Sequence, residues 1–233
     1  MAEPRWDTSR MPDLSGRTAV VTGANSGLGL HTATALAGQG AHVVMACRDR
    51  DKTAAAIGAI RRLHPGATLE HIPLDLADLS SVAAFADAYR RAQTRLDILC
   101  NNAGVMFAIE LQRRLEKRGA GTISAAAHPG YSATNLQSAG VGMGAPDALA
   151  RFGDWSMKYL NRWVAQDAAM GALPSLLAAT DPSVKGGDYY GPEHLFGLRG
   201  YPDHAPKPPQ SKDARVAAEL WRLSEEMTGV TFP

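Results

Sequence analysis

Short apolar runs alternate with amphipathic stretches along the first half of the chain. The runs Thr18–Thr22 (TAVVT), His42–Cys47 (HVVMAC), Thr68–Pro73 (TLEHIP) and Leu96–Cys100 (LDILC) are bounded by turn residues and predict buried strands. Helical stretches lie between them: an alanine-rich segment from a glycine cluster to about Gln39, then Asp51–Leu63, then Ser80–Gln93. Gly40 stands where a C-terminal helix cap belongs, and Ser80 is a candidate N-cap. After residues 101–106 (NNAGVM) the pattern becomes helical without a turn signal. Phe107, Leu111 and Leu115 recur at helical spacing and predict one apolar face over Phe107–Arg118. Thr122–Ala127 reads as a fifth strand, and Asp154–Ala165 and Asp167–Thr180 as helices. Gly187–Tyr190 reads as a short last strand, and Ser211–Met227 as a final helix with Val216, Leu220 and Leu223 on one side. Residues 1–16 read as an extended lead-in, and residues 131–152 and 197–210 as loops. Strands alternating with helices predict βαβ units and an α/β fold built on a parallel sheet. No repeat and no linker divides residues 1–233, so a single domain is expected.

Composition narrows the function classes. The chain has 233 residues, 45% hydrophobic and 20% charged, enough for one complete α/β domain. A net charge of +1 offers no positive field for nucleic acid or an anionic membrane. No apolar run reaches the roughly 18 residues of a membrane span. Met1–Arg10 is polar and lacks the apolar core of a secretory signal. Two cysteines are too few for a disulfide framework, so a cytoplasmic location is expected. The histidines at 31, 42, 64, 71, 128, 194 and 204 show no metal-ligand spacing, and no metal site is expected.

The chemistry concentrates at Gly23-Ala24-Asn25-Ser26-Gly27-Leu28-Gly29, between a strand and a helix. A helix N-terminus offers unpaired N–H groups and partial positive charge to a pyrophosphate. Glycines let the backbone approach such a ligand and let the helix pack on the strand. A P-loop is excluded, because no Lys-Ser or Lys-Thr follows the glycines.

TGANSGLG at 22–29, NNAG at 101–104 and HPG at 128–130 resemble the short-chain dehydrogenase/reductase family, in its retinol-dehydrogenase and protochlorophyllide-reductase-like branch. The resemblance runs from about Asp13 to the last helix. It implies a Rossmann-like doubly wound parallel sheet in three αβα layers and a nicotinamide cofactor. It also implies a small apolar alcohol or carbonyl substrate, with residues 131–165 and 191–210 as the substrate-side loops or lid. Gly23, Asn25, Ser26, Gly27, Leu28 and Gly29 would line the cofactor. An NAD site needs a carboxylate at the end of the second strand, and this chain has Ala46-Cys47-Arg48 there. Arg48 is placed to pair with a 2′-phosphate, which selects NADP(H), although Asp49 stands next to it. The resemblance assigns Asp75 and Leu76 to the adenine and Asn101, Ala103 and Gly104 to the end of the fourth strand. It assigns Pro129, Gly130 and Thr134 to the nicotinamide carboxamide. In the Rossmann strand order, Cys47 and Cys100 sit two strand spacings apart, roughly 9–10 Å, beyond disulfide reach. Trp155, Met157, Tyr159 and Trp163 either floor an apolar pocket or simply pack in the core.

The family's proton donor is a tyrosine with a lysine four residues later, aided by a serine. Tyr89, Tyr131, Tyr159, Tyr189, Tyr190 and Tyr201 are followed at that spacing by Gln93, Asn135, Trp163, Glu193, His194 and Ala205. None is lysine, so no catalytic residue is assigned. In the family, a segment like FAIELQRRL follows the tyrosine motif directly, whereas here it follows NNAGVM. The seam Met106–Phe107 therefore reads as an internal deletion on the order of 50–80 residues, a βα unit and half a helix. A site rebuilt elsewhere is the rival reading. The deletion predicts a sheet one strand short, healed by strand 122–127 moving in beside Leu96–Cys100, and loss of the family-type dimer. It leaves open an inactive oxidoreductase relative, a non-catalytic NADP(H)-binding protein, or an unstable deletion product.

Overall fold

A computed structural model describes residues 5–101, 104–131, 166–195 and 197–232. In chain order the elements are β1 (Thr18–Thr22), α1 (Gly27–Gly38), β2 (His42–Cys47), α2 (Arg50–Leu63), β3 (Leu69–Pro73), α3 (Leu79–Ala92) and β4 (Ile98–Cys100). Then follow α4 (Val105–Lys117), β5 (Ala126–Ala127), α5 (Ala168–Thr180), β6 (Tyr189–His194), β7 (Arg199–His204) and α6 (Ala214–Thr228). The predicted helix 154–165 and the loop from 132 onward lie outside the described residues.

β1 to β4 form a parallel sheet in the order β3-β2-β1-β4, with Val21 opposite Met45 on one side and Cys100 on the other. Alternate residues of its central strands face opposite layers, as the two-residue period of a strand requires. Ala19, Val21, Val43 and Met45 point into a core shared with Leu36 of α1, Ile60 of α2 and Leu173, Leu176 and Leu177 of α5. Val20, Val44, Ala46 and Ile72 point the other way, where Val82 and Phe85 of α3 pack on them. The result is the expected α/β architecture, a parallel sheet flanked by helices.

Helix boundaries follow local chemistry. Asp49 caps α2 by accepting from the Lys52 N–H at 3.0 Å, and Asp213 caps α6 the same way from Arg215 at 2.9 Å. Gly40, with φ of 88°, ends α1. The N-cap of α3 is Asp78 rather than Ser80, since the Asp78 carboxylate accepts from the Ser80 N–H at 2.8 Å. The lead-in is not merely extended: Thr8–Arg10 forms a 3-10 turn, and Trp6, Met11 and Leu14 are buried in the main core. The Trp6 indole donates to Asp181 at 2.7 Å, tying the lead-in to the end of α5.

The second half departs from the expectations. The stretch 122–127 does not heal the parallel sheet. Only Ala126 and Ala127 are strand, and they pair parallel with β6 in a separate sheet of order β5-β6-β7. The physical reason is that neighbouring backbone groups are already committed. The Ser124 N–H donates to Gln112 Oε1 at 2.7 Å, its carbonyl accepts from Gly187 at 2.7 Å, and the Ala126 N–H donates to Asp188 at 2.9 Å. Among the described residues β4 therefore ends the four-stranded sheet, with Leu99 56% exposed.

Residues 191–194 and 199–204, expected within a loop or lid, belong to the antiparallel pair of β6 and β7. Pro192 faces Pro202 across it, so residues that cannot donate a ladder hydrogen bond are opposite one another. The last strand is accordingly longer than Gly187–Tyr190 and has a partner. α4 also turns away from its predicted packing. Glu110 and Gln112 are its buried residues, and Phe107 stacks on Trp221 of α6 with ring centroids 4.5 Å apart. On α6, Ala217 and Trp221 are buried, while Val216, Leu220 and Leu223 are exposed.

Candidate dinucleotide site

The glycine turn joins β1 to α1 at the C-terminal edge of the parallel sheet. Gly23 and Gly27 adopt left-handed φ values of 63° and 53°. The Gly23 N–H donates to the Ala46 carbonyl at 3.0 Å, which pins the turn to β2. A Cβ on Gly29 would collide with the Gly23 carbonyl and come within 3.2 Å of the Ala24 Cα, so only glycine allows this closeness of helix and strand. A Cβ on Gly23 would meet nothing within 4 Å, so the turn faces open space. Ser26 is the N-cap of α1 but makes no side-chain cap bond, which leaves the first N–H groups of the helix without that partner. Asn25 and Leu28 are partly exposed beside them.

Arg48 and Asp75 stand at the ends of β2 and β3. Arg48 is 77% exposed, and its Nη1 lies 3.5 Å from Asp75 Oδ2. The parallel register of β2 and β3, Cys47 opposite Pro73, brings these two groups together. The Asp75 carboxylate also accepts from the Ala77 N–H at 3.0 Å, and the Ser81 hydroxyl accepts from the Asp75 N–H at 2.9 Å. Leu76 is exposed next to them. Asp49 is engaged elsewhere, since the Lys52 N–H it accepts holds its carboxyl below the usual carboxylate range.

At the end of β4, Thr22 Oγ1 lies 3.4 Å from both the Cys100 carbonyl and Asn101 Oδ1. Sequence reasoning did not single out Thr22, Ser81 or the Arg48–Asp75 pair. A hydroxyl closing a strand beside a glycine turn was the available signal for Thr22. Gly104 is exposed at the N-cap of α4, and Ala103 and Thr134 lie outside the described residues. Pro129 and Gly130 are placed by the second sheet instead. The Pro129 carbonyl accepts from Gln166 Nε2 at 2.8 Å, and Gly130, with φ of 62°, lies under the Leu198 carbonyl, 2.5 Å from a Cβ position. α5 connects the two groups, packing on α1 and β4 and also on β5, β6 and β7.

Burial pushes the phenols of Tyr89, Tyr189 and Tyr190 upwards, away from a working pH near neutrality. Tyr89 donates to the Arg95 carbonyl at 2.7 Å and Tyr190 to Asp188 at 3.0 Å. Cys47 and Cys100 are both free thiols, and burial raises Cys100 to about 12. Among the described residues, no three His, Cys, Asp or Glu side chains gather as a metal site, and no helix is long and apolar enough to cross a membrane.

Comparison with known proteins gives this geometry a family. The chain is 50% identical over 95 residues to dehydrogenase/reductase SDR family member 13 of Bos taurus, a stretch covering 41% of this chain and 25% of that protein. The curated relatives are matched over about a quarter to a third of their length, from 25% to 34%. Among solved structures, an uncharacterised protein from Mycobacterium paratuberculosis superposes with a TM-score of 0.75 at 29% identity, covering 99% of this chain and 100% of the other. L-sorbose reductase from Gluconobacter frateurii, solved with NADPH and L-sorbose, shares the fold with a TM-score of 0.62 at 18% identity, over 76% of this chain and 95% of that one. The family model for short chain dehydrogenase matches residues 17–138. That match spans more than half of the chain, and the protein belongs to the short-chain dehydrogenase family.

Proposed function

We propose that the chain binds NADP(H) at the glycine turn and, as it stands, does not turn over a carbonyl substrate. The turn carries the binding half. Its left-handed glycines, the contact of Gly29 beneath Gly23, the open space above and the uncapped helix start fit a pyrophosphate. Gly23, Asn25, Ser26, Gly27, Leu28 and Gly29 would hold it. Asp75 and Leu76 would meet the adenine, and Asn101, Ala103, Gly104, Pro129, Gly130 and Thr134 the nicotinamide end. Arg48 supports NADP(H) over NAD(H): it is exposed at the end of β2, while Asp49 is occupied as a helix cap. The NADPH in the sorbose reductase neighbour supports the same choice.

When bound, the cofactor supplies a hydride for an alcohol/carbonyl pair, the family's parent reaction on a small apolar substrate. The second half of that reaction, delivery of a proton, has no residue here. No tyrosine is followed four residues later by lysine, and the buried phenols are pushed the wrong way. Among the described residues β4 is the last strand of its sheet and α4 packs on α6 and β5 instead, which supports a missing βα unit at Met106–Phe107. A dimer of the family type is not expected without it.

Thermal unfolding of the purified chain with each cofactor tests this reading. NADPH is expected to raise the midpoint more than NADH. Arg48→Ala should weaken NADPH about tenfold and leave NADH unchanged, as loss of one charge-assisted contact would. Stabilisation by neither cofactor would overturn the binding and favour an unstable deletion product. Carbonyl-dependent consumption of NADPH would overturn the claim of inactivity.

A further inference from the structure

The turning-away of α4 creates a feature unrelated to the glycine turn. Arg113, Arg114, Lys117 and Arg118 line a cavity of about 220 Å³ whose remaining wall is Phe232, from the segment after α6. Arg113 also borders the adjacent hollow of about 200 Å³, where Lys207 joins it. This concentrates positive charge on a chain whose net charge is only +1.

Two of these cations are already positioned. Glu110 is 1% exposed and accepts from Arg113 Nε and Nη2, both at 2.8 Å, and from Arg114 Nε at 2.9 Å. The Arg114 guanidinium lies 4.6 Å from the Trp221 ring centre and that of Arg118 lies 6.0 Å from the Phe232 ring centre. A guanidinium held against a ring face keeps N–H groups at its edge for an acceptor. The nearby carboxylates are engaged: Glu116 accepts from Gln112 Nε2 at 2.9 Å, and Glu225 from the Trp221 indole at 2.8 Å and the Phe232 N–H at 3.0 Å. Among the described residues, neither Lys117 nor Arg118 has a carboxylate within ion-pair distance.

We propose that this hollow binds a soluble phosphorylated small molecule, through its phosphate groups. Guanidinium groups match the paired oxygens of a phosphate, and the Phe232 ring offers an apolar face to a compact organic part. The hollow lies at the C-terminal end of α4, whose 13 residues start beside β4 at the opposite end. At 1.5 Å per residue its lining, Arg113 to Arg118, lies about 12–20 Å along the axis from the helix start at Val105. It is a second anion site, not an extension of the first.

Inorganic pyrophosphate is the probe, titrated by calorimetry into the full chain with NADPH at saturation, so that the glycine turn is blocked. One pyrophosphate should bind per chain. Lys117→Glu with Arg118→Glu should weaken it by about tenfold or more, while NADPH binding stays unchanged. These two side chains are exposed and outside the Glu110 cluster, and an unchanged circular dichroism spectrum would confirm the fold. Arg48→Ala should not affect pyrophosphate. Full competition by NADPH, equal binding by the double variant, or the same heat from sodium chloride at matched ionic strength would each overturn the proposal. So would binding that appears only on vesicles containing phosphatidic acid. If NADPH itself fails to bind, the pyrophosphate titration is run alone, and loss in the double variant with retention in Arg48→Ala still decides for the hollow.

Discussion

Glu110 is the residue whose chemistry departs most from its setting: an ionised carboxylate in the interior, satisfied by two arginines on its own helix. The hydrogen bonds from Arg113, and then its charge and Arg114, hold its carboxyl below the usual range despite burial. A folded-state value depressed below the unfolded glutamate value of about 4.3 adds stability above that pH, lost as pH falls through the folded value. Glu110→Gln should therefore cost about 1–2 kcal/mol near neutral pH and little in strong acid, read as a shallower acid limb in urea midpoints against pH. The arginines are partly exposed, which keeps the figure modest. In the sequence these residues resemble any solvated helix face, because their partner is hidden at a position the apolar spacing does not mark. The glycine turn was legible, since its requirements are local: a strand, left-handed turns and a helix start within twelve residues. The Arg48–Asp75 pair was not, because it depends on the register of two strands separated by a whole helix.

Among elements, β1 and β2 were readable as short runs centred on paired valines, and β3 as a short stretch with Leu69 and Ile72 buried, each between glycine, proline or polar punctuation. The hairpin β6–β7 was not, since Gly191, Pro192, Gly197, Gly200 and Pro202 are all breakers in a linear reading. Their reasons are tertiary. A Cβ at Gly191 would strike the His128 ring, and one at Gly197 would come within 3.1 Å of it. The His128 ring is tilted against that of Tyr189 with centroids 5.2 Å apart, and burial lowers the pKa of the imidazole around which the hairpin closes. The failed healing of the sheet has the same origin: Gln112, a polar residue, captures the backbone that a strand in the slot would need. The cost appears on β4, which among the described residues is a short sheet edge with an exposed leucine, the kind of edge that recruits other strands. Leu99→Lys should leave the urea midpoint within about 0.5 kcal/mol of the parent and lower concentration-dependent light scattering.

For the whole molecule, one helix fastens two sheets of different character. α5 lies against α1 and β4 on one side and against β5, β6 and β7 on the other. The sheets differ in how far apart in sequence their partners are: Pro192 pairs with Pro202, whereas Ala19 pairs with Ile98. Hairpins close in about 1–10 μs, while distant parallel pairing waits for large loops to close. The split into two sheets therefore sets an order of assembly. The hairpin is expected to form early and by itself, and α5 to dock on it before β1 has found β4. Pulse-labelling hydrogen exchange during refolding should show Tyr190 and His204 protected ahead of Val21 and Cys100. A chain interrupted during that interval presents a finished hairpin and an unclosed nucleotide fold, which is the form a cellular protease would meet first.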